Sequence, residues 1–307
     1  MSSTGERARS RSSRVLLLGS PVSHSLSPGF QNAGFAAAGL ALRYEVQETA
    51  EAELGAVVAS IRRGELEGAN VTVPHKRAVV PHVDRLSYAA GRVGAVNTLV
   101  RTVHGVEGHN TDVAGLRRSL QEWLGGETRG KTAVVLGAGG TTRAALVALD
   151  QLEFAHVVVV NRTAERGEAL VAELRDEVLT EVSCCALEVA CGASAPEAVS
   201  GADVVVHTTS LGVGTAPGES GWASAMESWG ALPWKGWAGR VRALDVCYGR
   251  EGTPFCAVAT REGVPCTDGL DMLLYQGVES FVLWTSTEAP EAEMRRALHE
   301  AAGREVG

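Results

Sequence analysis

The chain has 307 residues, 45% of them apolar, and a formal net charge of −8. That length is enough for two domains with substantial cores, and the apolar share is ordinary for a globular protein. The acidic balance argues against nucleic acid and anionic membrane surfaces as partners. Leu16–Leu18 is too short for a signal-peptide core, and no apolar run approaches membrane-spanning length, so no membrane partner and a cytoplasmic setting are expected. Arg7, Arg9, Arg11 and Arg14 stand among serines, and residues 1–13 read as a disordered tail.

Arg14–Gly19 reads as a first strand, with Ser20-Pro21 turning out of it. In Val22-Ser23-His24-Ser25-Leu26-Ser27-Pro28 the proline suits the first turn of a helix, with Ser27 as its N-cap. That helix runs to about Ala38, and Gly39 stops it. Ser25 and Ser27 put hydroxyls at a helix N-terminus, a good place to hold a carboxylate; plain capping accounts for Ser27 alone. Ala41–Val46 is a second strand and Glu51–Arg63 an amphipathic helix. Gly68–Lys76 is a third strand, apolar except for Asn70, Thr72 and Lys76. A lysine just past a strand end is, taken alone, a solvated charge. Gly94–Thr98, which holds Asn97, and Gly108–Asp112 repeat the pattern of small turns packed with amide, hydroxyl and carboxylate groups. Such clusters in one α/β domain point to a polar pocket at the strand ends.

Thr132–Leu136 is β-branched and apolar, as a buried parallel strand requires. Gly137, Ala138, Gly139 and Gly140 then turn into an Ala- and Leu-rich helix over Thr142–Leu149. Strand, glycine turn and helix N-terminus together make an anion site for a pyrophosphate. The match to the dinucleotide fingerprint is imperfect, because Thr142 stands where a third Gly or Ala belongs. Val157–Val160 supplies the next strand at the right distance. After it come Asn161, Arg162 and Thr163, with Arg166 one helical turn on, and no carboxylate. A guanidinium pairs with a 2′-phosphate through two N–H groups, which favours NADP over NAD; an exposed arginine pair at a helix start is the alternative.

Glu165–Asp176 is an amphipathic helix, and Ala202–His207 a fourth strand ending in Thr208-Thr209-Ser210. Ala243–Tyr248 is a fifth strand, Thr253–Gly263 a helix, and Gly269 a turn. The six cysteines show no Cys-x-x-Cys pair and no zinc-type spacing, so free thiols are expected. The histidines are scattered, and no metal is expected.

These motifs, taken in order, resemble the shikimate and quinate dehydrogenase family from about Val15 to Thr285. The marks are Ser23–Pro28, Asn70–Lys76, Gly94–Thr98, Asn110-Thr111-Asp112, Gly137–Gly140 with Arg143, Asn161–Thr163, and Asp268–Leu273 with Gln276. The resemblance implies an α/β chain of two domains with a cleft between them. The first, 14–112, is a substrate-binding catalytic domain. The second, 113–270, is a Rossmann-like NADP domain that uses Gly137–Gly140, Asn161, Arg162, Thr163, Arg166 and Gly269. The last helices, 271–307, return to the first domain, and Asp271–Trp284 fits such a helix. The resemblance also implies that Lys76 and Asp112 are the catalytic pair, that Ser25 and Ser27 hold the carboxylate, and that Thr72, Asn97, Tyr248 and Gln276 touch substrate. The expected reaction is reversible NADP-dependent reduction of 3-dehydroshikimate to shikimate, by a monomer or homodimer. Quinate or aminoshikimate as substrate, or an NADP-binding regulatory module without chemistry, are the alternatives. A ketone reduction needs a hydride on carbon and a proton on oxygen, and a partly buried lysine can supply the proton. The chain departs from the family between Ser210 and Ala243, a long segment with Trp222, Trp229, Trp234 and Trp237. These read as packing onto their own domain, with a partner surface or substrate lid as the alternative. Gln31 stands where the family often has His.

Overall fold

A computed structural model describes residues 13–304; of the expected tail over 1–13, residues 1–12 lie outside them while Ser13 already begins the first strand, and the last three residues of the expected C-terminal helical segment also lie outside them. The first half runs β1 (Ser13–Gly19), α1 (Ser27–Ala37), β2 (Leu42–Glu48), α2 (Leu54–Arg62), β3 (Gly68–Val71), β4 (Arg85–Leu86), α3 (Tyr88–Val93), β5 (Thr98–Thr102) and β6 (Gly105–His109). Its strands form a six-stranded sheet in the order β2-β1-β3-β5-β6-β4. β1 pairs parallel with β2 and β3, while β5 runs antiparallel to β3 and β6. Leu16, Leu18, Ala69, Val71 and Leu99 bury one face under α2. Val15, Leu17 and Val100 bury the other.

Helix α4 (Thr111–Trp123) leads into the second half: β7 (Thr132–Leu136), α5 (Gly140–Gln151), β8 (His156–Asn161), α6 (Ala164–Leu174), β9 (Glu181–Ala186), α7 (Leu187–Ala190), α8 (Glu197–Ser200), β10 (Val204–His207), α9 (Ser220–Gly230), α10 (Trp234–Trp237), β11 (Arg242–Asp245), α11 (Pro254–Arg261) and β12 (Cys266–Thr267). Its six-stranded sheet has the order β12-β11-β10-β7-β8-β9, and every pairing is parallel. Ala133–Leu136 and Val157–Val160 are buried on both faces, which is why they read as unbroken apolar runs. The chain leaves β7 in one direction for β8 and returns on its other side for β10. A crevice at the carboxyl ends of β7 and β10 follows from that reversal.

Helices α12 (Leu270–Thr285) and α13 (Glu291–Ala302) close the chain. Leu274, Phe281, Trp284, Met294 and Leu298 join the core of the first sheet, with Phe281 stacked on Phe35 at 5.3 Å. Met272 enters the core shared by α4, α5 and β7. α12 therefore touches both halves.

The structure corrects the sequence reading at several points. Helix α1 starts at Ser27 itself, with Leu26 before it, and the Ser27 N–H donates to Ser25 Oγ at 3.2 Å. The capping hydroxyl is thus that of Ser25. The third strand ends at Val71, and Lys76 lies in the turn that follows from Val73. β11 ends at Asp245, so Tyr248 belongs to the loop after it. Cys256 and Cys266, expected as free thiols, are joined as a disulfide: the start of α11 lies against β12, and the two Cα atoms are 5.3 Å apart. The tryptophans of 211–242 are all buried, in line with the expected packing onto their own domain, and Trp229, Trp234 and Trp237 join the second core.

Candidate active site

The centre of the site is a turn and a helix end, which follow β3 and β6 and are brought together at the same end of the first sheet. The turn after β3 is pinned by the Thr72 N–H donating to Leu18 O at 2.8 Å, and by the Val96 N–H donating to Lys76 O at 2.8 Å. His75 is buried, and its Nε2 stands 2.7 Å from Thr49 O. So held, Lys76 Nζ donates to Asp112 Oδ2 at 2.6 Å. Asp112 sits in the first turn of α4, where the positive helix end favours a carboxylate. Its other oxygen, Oδ1, accepts from Asn97 Nδ2 at 2.8 Å. Asn97 is itself oriented, because its Oδ1 accepts from the Thr111 N–H at 2.7 Å. Lys76 keeps 17% of its side-chain area exposed against 8% for Asp112, so the amine can meet a ligand while the carboxylate is held behind it.

Beneath this pair runs a polar network that joins the polar clusters noted in the sequence to two residues not singled out there, Tyr44 and Ser280. Asn70 Nδ2 donates to Thr98 Oγ1, Ser280 Oγ and Asn97 O, and Asn70 Oδ1 accepts from Tyr44 at 2.7 Å. Ser280 Oγ also lies 2.9 Å from Thr98 Oγ1 and 3.1 Å from Thr111 Oγ1. Ser280 thereby ties α12 to the strands that carry Asn70 and Thr98. The available signal for Ser280 was its helical spacing, four positions after Gln276 and four before Trp284, on the face that carries Met272 and the buried Tyr275 and Phe281. In the low-dielectric interior such a network is stable only because its members satisfy one another.

The other expected substrate residues stand around the same centre. Gln276 is buried on α12, with its Oε1 3.5 Å from Thr111 Oγ1. Burial pushes the Tyr44 phenol far up, and Ser27 faces its hydroxyl. Burial likewise raises the Tyr248 phenol, which reaches the backbone of Leu26. Tyr44 and Tyr248 therefore flank the Ser25–Ser27 turn. The Thr72 hydroxyl has no hydrogen bond among the described residues, although its backbone fixes the turn.

The second site lies on the crevice of the second sheet. Gly137 has φ +121°, and a Cβ there would come within 2.8 Å of Thr208 Oγ1, so only glycine fits. At Gly139 and Gly140 a Cβ would meet nothing within 4 Å, which leaves the turn open to a phosphate. Thr142 is tolerated at the third fingerprint position because its hydroxyl is used: Oγ1 accepts from the Gly139 N–H at 3.0 Å and lies 2.8 Å from Thr208 Oγ1. Asn161 closes the end of β8 by donating to Thr163 O at 2.7 Å. Arg162 and Arg166 are exposed and have no ion pair among the described residues, so both guanidinium groups are available to a 2′-phosphate. Arg143, by contrast, is buried and paired with Glu173. Gly269 is fixed by packing, since a Cβ there would stand 2.1 Å from Val246 O. The open turn and free arginines suit a dinucleotide phosphate.

No helix among the described residues is long and apolar enough to cross a membrane. His207, Asp245 and Cys247 are the one group with clustered metal-ligand atoms among the described residues, and each already has a hydrogen-bond partner.

Family models match most of the chain. The shikimate dehydrogenase substrate binding domain covers residues 17–99, the shikimate / quinate 5-dehydrogenase model 119–211, and the shikimate 5′-dehydrogenase C-terminal domain 269–299. Shikimate dehydrogenase (NADP(+)) of Moorella thermoacetica is 42% identical over 293 residues, which is 95% of each chain. Among solved structures, shikimate 5-dehydrogenase of Thermus thermophilus in complex with NADP(H) and shikimate is 31% identical, with a TM-score of 0.74 over 94% of this chain and 99% of that one. The 5-ketofructose reductase of a Gluconobacter species is 28% identical, with a TM-score of 0.80 over 94% of this chain and 99% of that one. With identity of this extent along nearly the whole chain, and with the fold to match, the chain belongs to the family of NADP-dependent shikimate dehydrogenases.

Proposed function

We propose that the chain reversibly reduces 3-dehydroshikimate to shikimate, with Lys76 as the proton donor and Asp112 as its positioning partner. The observation that carries this reading is the Lys76 Nζ–Asp112 Oδ2 contact of 2.6 Å, held in place by Asn97. NADPH bound at the glycine turn supplies the hydride for the carbonyl carbon. The Lys76 ammonium gives its proton to the carbonyl oxygen as charge develops there, and the resulting amine is reprotonated from water. Asp112 holds the amine in line and can accept from a substrate hydroxyl. Ser25 and Ser27 hold the substrate carboxylate, which needs neutral donors at a helix start. Thr72, Asn97, Tyr248 and Gln276 complete the substrate pocket. Gly137–Gly140, Asn161–Thr163, Arg166 and Gly269 hold the cofactor.

The domain assignment follows the two sheets: residues 14–112 serve the substrate, 113–270 the cofactor, and 271–307 return to the first. The same reading has a monomer or homodimer in the cytoplasm, and light scattering after gel filtration measures the assembly. Steady-state turnover of shikimate, quinate, aminoshikimate and 5-ketofructose with NADP and NAD tests the function. Shikimate with NADP should give the highest kcat/KM. The 5-ketofructose reductase on the same fold is the reason to include that sugar, because a lysine–aspartate pair serves any ketone placed on it. An inert protein that still binds NADP would favour the regulatory module instead.

A further inference from the structure

The second sheet holds a buried polar arrangement that the reaction above does not use. His207 ends β10 and Asp245 ends β11, and they are 0% and 1% exposed. His207 Nδ1 lies 2.7 Å from Asp245 Oδ1, which also accepts from the Cys247 N–H at 2.9 Å. The far nitrogen, Nε2, lies 2.6 Å from Thr209 Oγ1. The ring stacks on Phe255 at 4.9 Å and meets the Trp229 ring edge-on at 4.5 Å. Trp229 belongs to the long tryptophan segment, so that segment builds the box in which His207 sits.

Elementary donor counting fixes the protons. A carboxylate only accepts, so His207 Nδ1 carries the hydrogen. In the neutral ring Nε2 then accepts the Thr209 O–H. Thr209 Oγ1 in turn accepts from the Leu211 N–H at 3.2 Å. Next to it, Thr208 is tied to the glycine-turn side through Leu136 O at 2.8 Å and Thr142 Oγ1 at 2.8 Å. The loop leaving β10 is therefore held on one side by the β7 turn and on the other by His207. It borders the phosphate turn on the β10 side of the crevice, the half that receives the second nucleotide in a sheet of this order. An aromatic ring without nitrogens would fill the box as well, so packing alone does not explain a histidine on a buried carboxylate. A divalent cation is not needed there either: Cys247 Sγ already contacts Thr209 O at 3.1 Å, and burial beside Asp245 pushes its thiol well up.

We propose that Asp245, His207 and Thr209 are a positioning relay for the nicotinamide half of the cofactor. Asp245 fixes the His207 tautomer, His207 fixes the Thr209 hydroxyl, and Thr209 sets the path of the loop over 208–214. The proposal rests on the NADP-dependent dehydrogenase reading and adds residues that it leaves without a role.

The test compares Thr209→Val, Thr209→Ser, His207→Phe and the double variant Thr209→Val/His207→Phe. The readouts are kcat, the KM and Kd for NADP, and the Kd for adenosine 2′,5′-bisphosphate, which lacks the nicotinamide half. Thr209→Val should lower kcat/KM for NADP about tenfold, the scale of one lost hydrogen bond. Thr209→Ser should restore it, and the double variant should be no worse than the worse single, as for one coupled unit. The bisphosphate Kd should not move. Native kinetics in Thr209→Val would overturn the relay, and so would a bisphosphate Kd that rises with the loss, or stoichiometric zinc in the purified protein. Thr209 is half-buried at a loop, so its variants remain informative if His207→Phe fails to fold. A native chain inert to shikimate would sink the dehydrogenase reading alone. The relay would then be read from the Kd of NADP relative to the bisphosphate: a selective rise in Thr209→Val supports it, and no change overturns it.

Discussion

Lys76 Nζ and Asp112 Oδ2 stand 2.6 Å apart although 36 positions separate them in the chain. One comes from the turn after β3 and the other from the first turn of α4. A solvated surface lysine would have no reason to end on a carboxylate whose side chain is only 8% exposed. Lys76→Ala is expected to lower kcat by about 10²–10⁴, the usual worth of a positioned acid. Lys76→Met, which keeps most of the length, should be nearly as damaging, and the Kd for NADP should stay near native in both. Near-native kcat in either variant would refute the proton-donor role.

The Ser25 side chain has one hydrogen bond in this structure and one proposed task at the substrate, and they predict separable effects. Its Oγ accepts from the Ser27 N–H and so caps α1. Ser25→Ala should cost about 1 kcal/mol of stability, as the loss of a helix cap does. As a neutral donor on the substrate carboxylate it should also raise KM for shikimate more than it lowers kcat. A variant that loses stability while keeping its KM would show that Ser25 is a cap and nothing more.

Arg162 and Arg166 carry the expected preference for NADP. Both are exposed at the end of β8 and are without an ion pair among the described residues. A charge-assisted pair is worth about 1.5–3 kcal/mol, so NADP should be used at least about tenfold more efficiently than NAD. Arg162→Ala should narrow that ratio by raising KM for NADP while leaving KM for NAD alone. Equal kcat/KM for the two cofactors in the native protein would contradict the assignment.

Arg92 and Asp150 join the two halves of the molecule, with Arg92 Nη2 donating to Asp150 at 2.7 Å from α3 to α5. Burial pushes the Asp150 carboxyl up, but the Arg92 guanidinium and the Thr180 and Leu179 N–H groups outweigh it and hold it below the ordinary carboxylate range. An unfolded aspartate titrates near about 3.9, and the folded value is lower. The stabilisation is therefore complete above about pH 4 and is lost as pH falls through the folded value. Asp150→Asn should cost about 1–3 kcal/mol at neutral pH. Urea unfolding of both proteins should show that gap shrinking below about pH 4; a gap constant from neutral to acid would rule out the ion pair as its source.

Much of this molecule was legible in local sequence, because local physics decides it. Thr132–Leu136 and Val157–Val160 are apolar or β-branched at every position, and only a strand buried on both faces needs that. Gly137 lies in a backbone region open to glycine alone, so the turn and the helix after it announce themselves. The order of the motifs carries the family resemblance, and it is that resemblance, not the residue types taken alone, that implies roles for the lysine, the carboxylate and the hydroxyl-rich helix start. What the sequence could not supply is distance. Lys76 and Asp112 meet only because β3, β5 and β6 pair in one register and deliver the turn and α4 to the same edge. Ser280 reads as one of several polar residues in α12 until that helix packs back against β5, and His207 reads as the end of a strand until Asp245 arrives from the next one. The disulfide between Cys256 and Cys266 is of the same kind, because a separation of 10 positions says nothing until α11 and β12 lie side by side. Periodicity and steric limits act over a few residues and can be read in order along the chain. Partnerships between distant side chains depend on which elements pack together, and that is settled by the burial of apolar faces in the whole fold.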